Sequence, residues 1–106
     1  MYAAIALLMT AIGAEVTSTA LIPRTDSFHN LGWSALVLAG YGLSTFLLSV
    51  VVKTLPLGAT YAVWAGLGTT AVALIGYLQG EPMSPFKAAS IGFIVLGVVS
   101  LQLASA

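Results

Sequence analysis

The chain has 106 residues, of which 59% are hydrophobic and 6% charged, and its formal net charge is zero. Soluble domains carry about 25% charged residues, so this composition points to an integral membrane protein, as does the mean hydropathy of +1.07. With no cysteine there is no disulfide and no thiolate metal site; a single histidine rules out a multi-histidine metal site within one chain, and without a basic patch nucleic-acid binding has no electrostatic basis.

A helix needs about 20 apolar residues to cross the hydrocarbon core. The first window that qualifies runs from about Ala3 to Ile22 and stops at Pro23, which cannot continue a helix cheaply. A cleaved secretory signal is not expected here: Met1-Tyr2-Ala3-Ala4 has no positive charge, and the apolar run is too long and contains Glu15. The second window runs from about Trp33 to Val52, with Trp33 and Lys53 as interface anchors. The third, Leu57 to Leu78, opens after Pro56. The fourth, Pro85 to Leu103, has Ser84 as its expected N-cap and Pro85 at the first helical position. Short loops make sequential helices antiparallel neighbours, and alternating strand patterning is absent. The expected fold is all-α: one four-helix transmembrane domain over residues 1–106.

Orientation is weakly encoded. Both termini and Lys53 fall on one side of the membrane, Arg24 and Lys87 on the other. A bias of one cation against two does not fix topology. Either lipid and translocon decide it, or the chain inserts both ways and forms an antiparallel dimer.

Glu15 is the residue that carries most information. It lies in the first span with no Lys, Arg or His beside it, and intramembrane carboxylates mark ion, proton or substrate pathways. Residues three and four apart share a helix face. Around Glu15 these are Ala11, Ile12, Ser18 and Thr19, with Leu8 a turn further. The alternative is a protonated structural acid bonded to Ser or Thr. Since the only basic residue within a span is Lys87, in the first turn of the fourth, the natural counter-charge is a proton, a cationic ligand, or both in turn.

Aromatic faces attract organic cations. Tyr61 and Trp64 are three apart on the third span, and Tyr41 lies mid-way along the second. An interfacial aromatic belt is the competing reading, and the better one for Trp33 and Tyr2. Gly66 and Gly68 suit either close helix packing or a bend that shifts between two shapes. Ser90 and Gly97 are seven apart, a small-residue stripe fit for a helix–helix interface. His29, Asp26, Glu81 and Lys87 read as loop or surface charges.

The whole chain resembles the small multidrug resistance family of four-helix bacterial transporters. The resemblance is carried by Ala14-Glu15-Val16, by the stretch from Pro56 to Gly68 (PLGATYAVWAGLG), by Gly80-Glu81-Pro82-Met83-Ser84 and by Gly97-Val98. It implies an antiparallel, dual-topology homodimer in the bacterial inner membrane. It implies proton-coupled export of cationic, often aromatic compounds, with Glu15 of both subunits as the shared proton and substrate site. Tyr41, Tyr61 and Trp64 match substrate-contacting aromatics, and Leu8, Ala11, Ile12, Ser18 and Thr19 match the lining of the first helix. Gly66 and Gly68 match a flexible segment of the third, and the Ser90–Gly97 stripe a dimer-forming fourth helix. No enzyme activity, cofactor, metal or nucleic-acid partner is implied.

The chain departs from the family's pattern in places. Many relatives have Gly at Ser18 and Ser or Thr at Ala65, and a Lys where this chain has Pro23-Arg24. The guanidinium-exporting branch typically has Trp three residues after the acid, where this chain has Ser18. These differences favour bulky apolar cations of the quaternary-ammonium type. The alternatives are a guanidinium or polyamine exporter, formed with a paralogue, and a non-transporting membrane subunit.

Overall fold

The computed structural model describes residues 2–105, and its regular elements are helical: α1 (Tyr2–Leu21), a 3-10 turn (Ile22–Thr25), α2 (Leu31–Val51), α3 (Leu57–Leu78) and α4 (Pro85–Ser105). All four α-helices are long and apolar enough to cross a membrane. At 1.5 Å per residue each spans about 30 Å, the thickness of the hydrocarbon core.

Local chemistry sets the ends. Pro23 falls inside the 3-10 turn, and α1 closes at Leu21, just before it. The next loop holds Asp26, Ser27 and Phe28 at φ of 50°, 55° and 67°. Left-handed backbone costs non-glycine residues roughly 1–2 kcal/mol each. Buried Thr25 holds the loop in place: its hydroxyl donates to the Ile22 carbonyl at 2.8 Å and accepts from the Phe28 N–H at 3.2 Å. α2 begins earlier than Trp33, because the Asn30 side chain caps it by accepting the Trp33 N–H at 3.2 Å.

α3 ends in a Schellman arrangement. Gly80 adopts φ 104°, its N–H donates to the Tyr77 carbonyl at 3.1 Å, and the Glu81 N–H donates to the Gly76 carbonyl at 3.0 Å. At the start of α4 the Ser84 hydroxyl accepts the Lys87 N–H at 3.1 Å, with Pro85 at the first helical position.

α1 lies between α2 and α3, and α4 packs against α3. The result is a slab with principal extents of 43 × 36 × 17 Å. Leu8, Ile12 and Val51 form its small buried core, flanked by Trp64, Val63 and Leu67. Two close approaches fix the helix spacing. A Cβ on Gly40 of α2 would collide with the Ser18 hydroxyl of α1, and one on Gly66 of α3 would collide with Val98 of α4. Among its described residues α4 buries none, and Phe86, Phe93 and Leu96 are largely exposed.

Candidate functional site

Glu15 sits half-buried where α1 faces α3. Thr19, one turn later, donates its hydroxyl hydrogen to Glu15 Oε1 at 3.2 Å. The same hydroxyl lies 2.6 Å from the Tyr41 hydroxyl of α2. A hydroxyl has one hydrogen to give. With Thr19 donating to Glu15, Tyr41 must donate to Thr19, so the three groups form a directed chain, Tyr41 to Thr19 to Glu15. Glu15 Oε2 differs: it is buried with no hydrogen-bond partner among the described residues. It points at Gly68, where an added Cβ would stand 2.7 Å away. A buried oxygen in that condition is destabilising unless it takes a proton or meets a donor or cation.

A cleft of about 330 Å³ opens beside the carboxylate, lined by Glu15, Thr19, Gly68, Thr69, Val72 and Ala73. Gly68 admits the carboxylate by lacking a side chain, and the rest of the α3 wall is small or apolar.

The aromatic pair belongs to a second cluster. Tyr61 and Trp64 have ring centroids 5.5 Å apart, tilted by 34°. The Trp64 indole N–H donates to Ser44 Oγ at 3.1 Å, and Ser44 passes its own hydrogen to the Ala11 carbonyl at 2.7 Å. The indole is thereby tied to α1 one turn before Glu15. Tyr61 remains more than half exposed.

The structure brings some sequence-selected residues together and separates others. Glu15, Thr19, Tyr41 and Gly68 form one constellation. Ala11 joins the Trp64 cluster through its carbonyl. Leu8 and Ile12 are core residues packed near Trp64. Ser18 is buried against Gly40 on the α2 side, away from the carboxylate cleft. α3 runs unbroken through Gly66 and Gly68. Ser90 and Gly97 are exposed; the Ser90 hydroxyl donates to the Phe86 carbonyl at 2.9 Å, and a Cβ on Gly97 would meet open space.

Sequence reasoning missed Ser44, Thr69, Val72 and Ala73. Ser44 lies three residues after Tyr41 on α2, so a search for hydroxyls on that face finds it. Thr69 adjoins Gly68 and was open to the same logic. Val72 and Ala73 carry no signal that separates them from ordinary packing.

Four helices of membrane-crossing length, with a carboxylate half-buried on the first, define a multi-pass membrane protein. A model of the Small Multidrug Resistance protein family matches residues 3–94, and the chain belongs to that family. It is 39% identical over 99 residues to the quaternary ammonium compound-resistance protein QacE of Escherichia coli, covering 92% of this chain and 90% of that one. It is 42% identical over 98 residues to the nicotine metabolites export pump subunit NepA of Paenarthrobacter nicotinovorans, covering 92% and 84%. It is 39% identical over 101 residues to the multidrug resistance protein Mmr of Mycobacterium tuberculosis, covering 93% and 94%.

Proposed function

We propose that the chain is a proton-coupled antiporter of the bacterial inner membrane that exports lipophilic, often aromatic cations. The observation that carries this reading is the buried, unpartnered Glu15 Oε2 facing a cleft within the membrane-spanning region. Protons and a cationic substrate compete for the same carboxylate, so one site couples both fluxes. Open to the outside, the site takes protons and releases drug; open to the inside, it takes drug and releases protons. Tyr41 and Thr19 orient the carboxylate, while Trp64 and Tyr61 offer aromatic faces to the cation. Relatives named for resistance to quaternary ammonium compounds and to multiple drugs support the substrate class.

The functional unit in this reading is an antiparallel homodimer sharing two copies of Glu15. Its support is the slab-like single chain, whose carboxylate cleft is open and whose α4 is largely uncovered. Ser90 and Gly97 on α4 and the weak charge bias fit such a pairing. A second reading, assembly with a different paralogous subunit, is favoured by one observation: the 42% identical relative NepA is named as a pump subunit.

The test is export from proteoliposomes under an imposed pH gradient. Wild-type protein should move a lipophilic cation against the proton flux. Glu15→Gln, which keeps the side chain's shape but loses its charge, should abolish pH-driven movement. Undiminished pH-driven export by that variant would sink the proposal.

A further inference from the structure

The α3–α4 junction holds a second pocket, which shares Ala73 of α3 with the Glu15 cleft but is otherwise lined by the end of α3, the following loop and the start of α4. Its volume is about 380 Å³, and its walls include Tyr77, Glu81, Met83, Phe86, Lys87 and Ser90. The loop that builds it is fixed at both ends. The Schellman arrangement folds Glu81 back onto the end of α3, so that its carboxylate lies against Gly76. The Ser84 cap sets the first turn of α4, and the Lys87 ammonium is drawn onto the Pro82 carbonyl at 3.0 Å. The pocket lining therefore includes a carboxylate and an ammonium together with aromatic and thioether surface.

Its place in the fold narrows the ligand. It lies at the end of α3 and the start of α4, both long enough to cross the hydrocarbon core, and the ends of such helices meet the headgroup region.

We propose that this pocket binds the headgroup of an ethanolamine phospholipid, with its primary ammonium on Glu81 and its phosphate on Lys87. The two charges of that headgroup complement the two charges of the wall. A choline headgroup has no N–H to donate to Glu81, and a glycerol headgroup supplies no cation. Charge-assisted hydrogen bonds of this kind are the strong ones. Glu15 does not line the pocket, so changes at Glu81 and Lys87 test the proposal apart from the transport reading.

The test is native mass spectrometry of the full chain in neutral detergent, with dioleoyl phosphatidylethanolamine, phosphatidylcholine and phosphatidylglycerol at equal concentration. The ethanolamine lipid should be retained about tenfold over the choline lipid, the worth of one charge-assisted hydrogen bond. Glu81→Gln and Lys87→Gln should each erase that preference. Gly76→Ala keeps both charges but drives the Glu81 carboxylate out of its seat, and should erase it too. Equal retention of ethanolamine and choline lipids by the wild type overturns the proposal without any variant. So does a preference that survives Glu81→Gln, or a stronger affinity for the glycerol lipid.

Discussion

Ser44 ties two parts of the site together, accepting from Trp64 and donating to Ala11. Losing it leaves the indole N–H short of a partner, a penalty of about 1–3 kcal/mol, while the Ala11 carbonyl keeps its bond within α1. Ser44→Ala should therefore release the indole and weaken binding of tetraphenylphosphonium by up to about tenfold, as read by isothermal titration calorimetry. A desolvated cation–π contact is worth about 2 kcal/mol, so Trp64→Leu should weaken the same cation about thirtyfold. Unchanged affinity in Trp64→Leu returns that residue to a packing role beside Leu8 and Ile12. The carboxylate itself was legible in the sequence, because a charge in an apolar run is conspicuous. Its neighbours were legible only in part. Thr19 follows from helical spacing, but Ser18, equally close in sequence, turns towards Gly40 instead. Periodicity names a residue's face; which neighbouring helix that face meets is decided by packing.

Two glycines two residues apart on α3 do different things. A Cβ on Gly66 meets Val98, a stiff β-branched side chain, so α4 must shift to make room. A Cβ on Gly68 meets the far end of Glu15, which can swing aside. Gly→Ala within a helix otherwise stabilises by about 1 kcal/mol. Gly66→Ala should thus lower the thermal unfolding temperature in detergent, whereas Gly68→Ala should leave it level or higher while weakening cation binding. Equal effects of the two changes on both measurements would contradict this division. The four helices were legible because each is a long apolar run, and Ser84-Pro85 announces the start of α4 by its own chemistry. The Asn30 cap was not, since Leu31 and Gly32 separate it from the aromatic that draws attention. The left-handed turn at Asp26, Ser27 and Phe28 was also beyond sequence, because its support comes from the buried Thr25 hydroxyl.

At the scale of the whole molecule, the chain is a slab of 43 × 36 × 17 Å whose carboxylate cleft is open. α1 is covered by α2 and α3, while α4 packs chiefly against α3. In the proposed reading a partner of the same sequence, inserted inverted, completes the site. Single cysteines placed at either terminus of this cysteine-free chain should react with an impermeant maleimide from both faces of the membrane. Labelling from one face only would exclude dual topology and favour a parallel pair or a fixed heterodimer. The central claim, that proton and drug exchange on Glu15, is met most directly by measuring proton release as tetraphenylphosphonium binds. In weakly buffered detergent solution, binding to wild-type protein should release protons, its affinity should fall as pH is lowered, and both effects should vanish in Glu15→Gln. Binding that releases no protons, or release that persists in Glu15→Gln, would contradict the account.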